Sequence, residues 1–276
     1  MITVSPSKLF NLLQFPPQHP VVVDLRSPTD FQKCHLRHAV CLRNLHTPDA
    51  TVRSSVVVLS TDPSPSDLDS IARLYPASQR PIGRLSVPPE QFMALYPFLH
   101  VSSDMDHENT KANQAAMKYP VEAIGGALWV GDLIDGSNMN LLARLRITAV
   151  LDCSPKGIPN VEHDLALLSG TPVVCMHLPP SNYPAAAKAS EWVLDPDTMC
   201  KAVDFVLAAT ESGKRCVVVD FDGSSLAPAV AAGVKRVMSK KTVPWCVAWA
   251  RSRSGKFEMS SAQITNLVAF GELIKT

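Results

Sequence analysis

The segment from Cys216 to Met238 combines a strand pattern, a polar loop and a helix start in an order suited to anion chemistry. Val217 to Val219 are β-branched, which is typical of a strand covered on both faces. Ser224 or Ser225 can cap the helix that follows, and Pro228 is tolerated only near a helix start. Such a loop points backbone N–H groups at whatever lies above the helix N-terminus. The sequence therefore predicts the local architecture of a phosphate-handling loop.

The side chains of this loop do not supply phosphate chemistry. No Cys or Arg lies between Val217 and Val234, so neither a thiolate nor a guanidinium is available. Asp220 and Asp222 would repel a bound dianion by an energy on the order of kcal/mol. We hypothesise that the carboxylate of Asp222 fills the loop by accepting its N–H bonds. The alternative is an Asp222 that faces solvent.

Thiols and acidic clusters elsewhere favour neither a metal site nor a cofactor. The seven Cys are scattered singly, with no C-x-x-C pair, which fits reduced thiols better than disulfides or zinc. Asp104, Asp106, His107 and Glu108 crowd together, but no matching cluster occurs elsewhere in the sequence. We interpret them as an acidic linker, and expect no metal.

Composition sets loose bounds on the class of protein. A chain of 276 residues suits one or two domains, and a net charge of +1 says nothing about partners. The charged fraction of 18% is below the roughly 25% usual for soluble domains, which indicates much buried or partner-covered surface. No apolar run reaches the roughly 18 residues of a membrane span, and the N-terminus has no signal-peptide pattern. We expect a cytoplasmic protein with no membrane partner.

In the first hundred residues, strands alternate with helices. Buried strands are predicted at 21–26 and 56–59, and helices at 4–15, from Ser27 and from Asp67 to Tyr75. Ser5 is a plausible cap, with Pro6 at the first helical position. The alternation predicts an α/β domain with a parallel sheet.

These residues resemble the rhodanese module. The family pattern D-x-R-x-x-x-E-F-x-x-G-H-I-x-G-A appears here with both of its glycines replaced, by Cys34 and His38. The residues that carry it are Asp24, Arg26, Asp30, Phe31, Cys34, His35, Leu36, His38 and Ala39. The end of the domain, 85–97, looks like the version at the N-terminus of MAP kinase phosphatases.

The resemblance implies a rhodanese fold without its chemistry. The catalytic Cys of the family falls at Ser60 or Thr61, and a Ser hydroxyl cannot carry a sulfane sulfur. Asp62 would repel an anionic substrate, and Cys34 lies in the wrong loop, where a half-buried thiol is expected. MAP kinase phosphatases also dock kinases through an Arg cluster of this module. Here the basic residues are too loosely spaced for that motif and predict a solvated face: Arg37, His38, Arg43 and Arg53.

Residues 101–117 are polar and indicate a connector, helical from Glu108 onward. Beyond it, strands are predicted at 127–132, 147–153 and 172–178, with a helix at 141–145. A longer helix at 197–212 has its core face near Val203, Phe205, Val206 and Leu207, and ends at Gly213.

This second region resembles the dual-specificity phosphatase domain. The match is carried by 119–124, 128–131, 145–153, the strand at Val217 and the helix that ends near Ala250 to Arg253. It implies an α/β protein of two domains. They are a rhodanese-like parallel-sheet domain at 1–100, a linker at 101–117, and a dual-specificity-phosphatase-like domain at 118–276.

The family's loop reads H-C-x-x-G-x-x-R. Aligned on the strand and helix, Asp220 takes the His position, Phe221 the Cys position and Ala227 the Arg position. Gly223 falls one place early, so that Ser224 stands where the motif has glycine. The segment that should supply the general acid, Met176 to Asn182, contains no carboxylate. The resemblance therefore implies a phosphatase fold without phosphatase activity.

A local basic patch is the other feature with functional meaning. From Gly223 to Phe257 there are seven basic residues and no acidic one. They are Lys235, Arg236, Lys240, Lys241, Arg251, Arg253 and Lys256. The patch fits acidic protein partners, such as cytoskeletal proteins or a kinase, and a solvated face is the alternative. We rank nucleic acid lower, on the expectation that no aromatic platform is interleaved with the charges.

Together these observations predict a pseudophosphatase that acts as a structural or scaffolding module, within a cytoskeletal, flagellar or other large assembly. The alternative is a regulator that docks a kinase or phosphoprotein and competes with active phosphatases. A third candidate function is an enzyme that uses a thiol other than those of the two family motifs. The missing loop Arg disfavours capture of phosphorylated residues, so the scaffold is preferred.

Overall fold

The computed structural model describes residues 1–14, 20–37, 39–42, 55–60, 62–75, 82–102, 119–181 and 191–274. The chain forms two compact units, Met1–Met117 and Lys118–Thr276. Each unit is built around a five-stranded sheet in which most or all neighbouring strands are parallel. Among the described helices, none is long and apolar enough to cross a membrane.

The first unit alternates strands and helices. Its elements are β1 (Ile2–Val4), α1 (Pro6–Leu12), β2 (Val21–Asp24), α2 (Pro28–Lys33), β3 (Cys34–Leu36), β4 (Val40–Cys41), β5 (Val56–Leu59), α3 (Pro65–Leu74), β6 (Gly83–Leu85), α4 (Pro89–Leu95) and β7 (His100–Ser102). The sheet order is β1-β6-β5-β2-β4, and every neighbouring pair is parallel. An antiparallel pair, β3 with β7, stands apart from it. The predicted parallel α/β arrangement is present.

Three helices of this unit each begin at a Ser-Pro pair. Ser5, Ser27 and Ser64 each accept a hydrogen bond on the side chain from the backbone N–H three residues on. The Pro that follows each Ser occupies the first helical position, where a missing N–H costs nothing. The predicted helix starts at Ser5 and Ser27 are confirmed, whereas the helix predicted from Asp67 begins two residues earlier, at Pro65. The strand predicted at 56–59 is confirmed with the same bounds, and the strand predicted at 21–26 ends at Asp24.

The second unit has a longer helical layer. Its elements are β8 (Val121–Ile124), β9 (Leu128–Gly131), α5 (Leu133–Ser137), α6 (Met139–Arg144), β10 (Ala149–Asp152), α7 (Val161–Ser169), β11 (Val174–His177), α8 (Pro196–Glu211), β12 (Cys216–Val219), α9 (Leu226–Ser239), α10 (Val243–Arg251) and α11 (Ser261–Leu273). The strand order is β11-β10-β12-β9-β8, parallel except for the antiparallel edge pair β8 with β9.

Strand β12 is the centre of this sheet. It pairs in parallel with β10 on one side and β9 on the other, and all four of its side chains are fully buried. A β-branched run without polar alternation is what a strand covered on both faces requires. The following helix α9 is buried along its first nine residues, Leu226 to Val234. The loop between β12 and α9 is therefore held at both ends by the core.

The predicted core face of α8 is partly wrong. Val203 and Val206 are buried, but Phe205 and Leu207 are only half-buried, and the other buried positions are Met199, Ala202 and Ala209. Ala202 and Ala209 lie on the buried face of α8 because α9 packs closely against this helix. A Cβ on Gly233 of α9 would lie 2.9 Å from the Val203 side chain. The helix ends as predicted, with Gly213 at a φ of 76° just beyond it.

Candidate functional site

The loop after β12 wraps around a single carboxylate, that of Asp220. Asp220 Oδ1 accepts hydrogen bonds from the backbone N–H groups of Asp222, at 3.1 Å, and Gly223. Asp220 Oδ2 accepts from the N–H groups of Ala227, at 2.8 Å, and Ser225, at 3.4 Å. The carboxylate occupies the point where the loop N–H groups and the first turn of α9 converge. The anion position of this loop is therefore filled by the protein itself.

Asp222 does not fill the loop, so our hypothesis for that residue is wrong. Asp222 is exposed, and its Oδ1 accepts from the N–H of Ser224 at 2.9 Å and from the Ser224 hydroxyl at 2.8 Å. This is a local Asx turn that points away from the loop centre. The filling carboxylate is two residues earlier, because Asp220 directly follows the buried strand and enters the core with it.

Burial raises the pKa of Asp220 to about 6, although three loop N–H bonds oppose the shift and the charge of Asp222 adds to it. Asp220 is 1% exposed. At neutral pH the carboxylate is mostly ionised, and N–H donors compensate the charge in place of a ligand or a basic side chain. This is the arrangement of a built-in anion.

Gly223 allows the loop to close against β9. Its φ is +69°, and a Cβ there would lie 2.9 Å from the backbone nitrogen of Asp132. Only glycine tolerates both conditions. Asp220 also donates its backbone N–H to the carbonyl oxygen of Gly131, at 3.3 Å. The loop is thus tied to the strand beside it.

The remaining loop residues face in different directions. Phe221 is 54% exposed, and its ring makes an edge contact with Trp192 at a centroid distance of 5.7 Å. Ala227 is fully buried, and only its backbone N–H takes part in the loop. Of the two predicted caps, Ser225 precedes the helix but makes no side-chain cap bond, because the Asp220 carboxylate takes that role. Ser224 instead bonds to Asp222.

Neighbouring strands also end in buried carboxylates. Asp152 closes β10 and accepts from the N–H groups of Ser154, at 2.8 Å, and Ile158, at 2.6 Å. Asp132 follows β9 and accepts from Asp135 N–H at 2.9 Å in a capping box of α5. The carboxyl edge of a parallel sheet is where ligands usually bind. Here three adjacent strands place carboxylates at this edge, each compensated locally, which disfavours an anionic ligand. This shared pattern was not predicted, although an Asp at the end of each of these strand patterns in the sequence could have revealed it.

The nearest thiols are inert. Cys153 is fully buried, and burial raises its pKa well above the ordinary value, with Asp220 and Asp152 adding to the effect. Burial raises the pKa of Cys216 in the same way. Since the thiolate is the nucleophile, neither side chain can attack a substrate at neutral pH.

The segment predicted to lack a general acid is described through Ser181. Its Ser181 hydroxyl donates to Asp195 Oδ2 at 2.5 Å. This bond and those from Thr198 lower the pKa of Asp195 to about 2. Asp195 caps α8 and stays ionised, so it cannot deliver a proton to a leaving group near neutral pH. His177, in the same segment, bonds through Nε2 to the Ser154 carbonyl oxygen at 2.7 Å.

In the first unit, the loop after β5 offers no nucleophile among its described residues. The Ser60 hydroxyl accepts the backbone N–H of Asp62 at 3.2 Å, and the Asp62 side chain is exposed. Thr61 lies outside the described residues. Cys34 is half-buried on β3, with its sulfur 3.6 Å from that of Met93, as expected for a structural thiol. Asp24, fully buried at the end of β2, is held by Arg26 at 2.7 Å.

Two further predictions fall largely outside the described residues. Of the loose basic cluster, Arg37 is described, whereas His38, Arg43 and Arg53 are not. The acidic cluster at 104–108 also lies outside, as does the predicted helix from Glu108. Among the residues that are described, no group of three or more His, Cys, Asp or Glu side chains could hold a metal.

The basic patch contains aromatic rings, so the expectation that none is interleaved with the charges is wrong. Lys235 Nζ lies over the Trp249 ring, 5.4 Å from its centroid, and 5.9 Å from the centroid of Trp245. Arg253 also lies over Trp249, at 5.1 Å. Trp245, Trp249 and Arg253 are four residues apart along the chain, a spacing that could have revealed one helical face. Among the other basic residues, Lys240, Lys241, Arg251 and Lys256 are exposed, and Arg236 is half-buried.

Models of known protein families give no match to the chain, and neither do curated proteins. Similar solved structures include a leucine-rich-repeat and phosphatase domain protein from Entamoeba histolytica, at 13% identity and a TM-score of 0.43. That match covers 57% of this chain and 93% of the other. The human tyrosine phosphatase-like serine/threonine/tyrosine-interacting protein matches at 13% identity and a TM-score of 0.45, covering 57% and 99%. DUSP15 matches at 15% identity and a TM-score of 0.45, covering 55% and 87%.

Proposed function

We propose that this chain is a non-catalytic pseudophosphatase that serves as a scaffold for protein interactions. Its second unit keeps a dual-specificity-phosphatase-like strand, loop and helix, and its first unit is a rhodanese-like module without a catalytic thiol. The single observation that carries the proposal is the Asp220 carboxylate, which accepts four backbone N–H bonds inside the loop. A loop occupied by its own side chain cannot cradle a phosphate.

The loop geometry also favours an alignment one residue away from that of the sequence analysis. With Gly223 on the glycine of H-C-x-x-G-x-x-R, Asp220 takes the Cys position and Leu226 the Arg position. In the family, as the resemblance implies, the Cys thiolate is the group stabilised by the loop N–H bonds. Asp220 accepts those bonds here, and Leu226 is 1% exposed. Either alignment leaves the loop without a thiol and without a guanidinium.

The surroundings of the loop support the absence of chemistry. Cys153 and Cys216 are held as neutral thiols, which is the wrong protonation state for a nucleophile. Asp195 is held as a carboxylate, which is the wrong protonation state for a general acid. A nucleophile must be ionised or paired with a base, and a general acid must hold its proton. Asp222, whose charge acts on the Asp220 carboxyl, adds to the unfavourable surroundings for a phosphate. These features favour a fold retained for its surface.

The competing function is a regulator that captures a phosphoprotein. Capture needs an open anion position and a guanidinium, and the loop offers neither. Docking of a kinase by the first unit would not depend on the loop, so the partner distinguishes the two functions. Crosslinking followed by identification of the partner decides between them: a kinase supports the regulator, and a protein of the cytoskeleton or flagellum supports the scaffold.

The proposal is tested by two measurements on the whole chain. Para-nitrophenyl phosphate should be turned over no faster by the native protein than by a boiled sample. Tungstate, an oxyanion of phosphatase loops, should leave the melting temperature unchanged. Turnover above the boiled sample, or a rise in melting temperature with tungstate, would overturn the closed-loop proposal.

A further inference from the structure

The helices α9 and α10 carry a surface cluster that the loop does not use. It consists of Lys235 on α9, Trp245 and Trp249 on α10, and Arg253 just after α10, and we call it the tryptophan–cation cluster. Lys235 is nine residues beyond the start of α9, or about 14 Å along the helix axis. The cluster is therefore separate from the loop that Asp220 closes.

The cations of this cluster lie over aromatic rings and make no direct salt bridge within the described parts of the chain. Lys235 lies over both Trp rings, and Arg253 lies over Trp249. Across the described parts of the chain, neither cation forms a salt bridge with an acidic residue. The Nε atoms of Arg253 and of nearby Arg236 are buried without a hydrogen-bond partner. Arg253 also interacts electrostatically with the buried Glu122, whose charge raises the pKa of Arg253 against the lowering effect of burial. Positive charge is thus held in place, and Lys235 has no acidic partner among the described salt bridges.

Apolar surface adjoins these charges. Trp245 is 43% exposed and Met238, at the end of α9, is 55% exposed. Large exposed apolar side chains beside fixed charges are typical of interfaces, where Trp and Arg contribute most of the binding energy. Lys240 and Lys241 extend the positive charge into the turn between the two helices.

We infer that the tryptophan–cation cluster is a docking surface for an acidic segment of another protein, one in which carboxylates alternate with apolar side chains. The carboxylates meet Lys235 and Arg253, and the apolar side chains cover Trp245 and Met238. This inference rests on the proposed scaffold role and names its surface. Single-stranded nucleic acid fits less well, because bases need free ring faces for stacking, and cations already lie over Trp249.

The probe for this docking is a fluorescein-labelled peptide of repeated Glu-Glu-Phe triplets, followed by fluorescence anisotropy with the full chain. We expect saturable binding that weakens as salt increases, since screening reduces attraction between exposed charges. Lys235→Ala and Trp245→Ala should each bind the peptide roughly tenfold more weakly. The matched control is Lys201→Ala, an exposed lysine of α8, which should bind like the native protein.

A second probe, a labelled oligothymidylate, separates the two classes of partner. Tighter binding of the oligothymidylate than of the peptide would overturn the inference, and so would equal peptide affinity for the native protein, Lys235→Ala and Trp245→Ala. Absence of peptide binding would also overturn it while leaving the closed loop in place. Failure of the proposed function is seen separately, as turnover of para-nitrophenyl phosphate by the native protein.

Discussion

Replacing Asp220 by alanine should open the loop and convert a built-in anion into a vacant anion position. The substitution removes the acceptor of four backbone N–H bonds, those of Asp222, Gly223, Ser225 and Ala227. A buried donor without an acceptor costs about 1–3 kcal/mol. Water can reach the exposed side of the loop and satisfy part of this set. We therefore expect the free energy of unfolding to fall by about 2–4 kcal/mol, measured by urea denaturation near pH 7, where the carboxylate is mostly ionised.

The loss should depend on pH in a defined direction. The pKa of Asp220 in the folded protein, about 6, is above the ordinary value of 3.8. The folded state therefore binds more protons than the unfolded state between these values. The stability that protonation of Asp220 contributes to the folded state is fully present below about pH 4 and is lost as the pH rises through 6. Between pH 5 and pH 8 the advantage of the native protein over Asp220→Ala should shrink by about 1–2 kcal/mol.

Anions should then rescue the variant. The N–H groups freed in Asp220→Ala point at one position above the N-terminus of α9, which is the arrangement that binds oxyanions. Tungstate or sulfate should raise the melting temperature of Asp220→Ala and leave that of the native protein unchanged. At a hundredfold excess over the dissociation constant, a bound anion stabilises by about 2.7 kcal/mol.

Two variants control this experiment. Asp222→Ala removes an equal charge from the exposed position and should cost less than about 1 kcal/mol, with no response to anions. Asp220→Asn keeps the shape of the side chain but turns one acceptor oxygen into an NH2 donor, so it should lose stability without responding to tungstate, and it tests the stability loss if the alanine variant does not fold. The reasoning is refuted if Asp220→Ala is as stable as Asp222→Ala at pH 7 and also fails to respond to tungstate.

Three further outcomes follow from contacts in both units. Gly223→Ala should lower the free energy of unfolding by about 2 kcal/mol or more, because φ is positive there and a Cβ would meet the neighbouring strand. Gly213 also has a positive φ, but a Cβ there would meet no neighbouring atom, so Gly213→Ala should lower the free energy of unfolding by about 1 kcal/mol. Urea denaturation compares the two, and equal losses would contradict the packing reason. Cys153 should resist iodoacetamide at pH 8 in the native protein and react in urea, as peptide mass mapping would show; labelling without urea would disprove its burial. Arg26→Lys should cost about 1–3 kcal/mol, because lysine cannot make the two-pronged bond to the fully buried Asp24, and an unchanged urea midpoint would show that the pair contributes nothing.

Local pattern was enough to predict most of the fold. β-branched runs marked the central strands of both sheets, and Ser-Pro pairs marked helix starts, because both reflect short-range chemistry. The short strands β1 and β6 escaped prediction. Each has only three residues, and a strand of that length is defined by its partner rather than by its own sequence.

The closed loop could be predicted, but the residue that closes it could not. Asp220 and Asp222 are the same residue type two positions apart, and a strand buried on both faces gives no alternation to tell inside from outside. Which of the two Asp residues fills the loop depends on the positive φ of Gly223 and on its contact with β9. Both are features of the tertiary structure that the local sequence does not encode. The tryptophan–cation cluster was likewise predictable only in part. The spacing of Trp245 and Trp249 is readable from the sequence, whereas the approach of Lys235 from another helix is not.

The carboxylate at the end of β12 also limits what a single substitution could introduce into the loop. A single change of Asp220 to cysteine would place a thiol at the loop centre, where burial and the nearby Asp222 would both favour the protonated form. The same substitution would remove the internal anion that accepts the loop N–H bonds. A thiol at this position would therefore come at the cost of the bonds that now hold the loop.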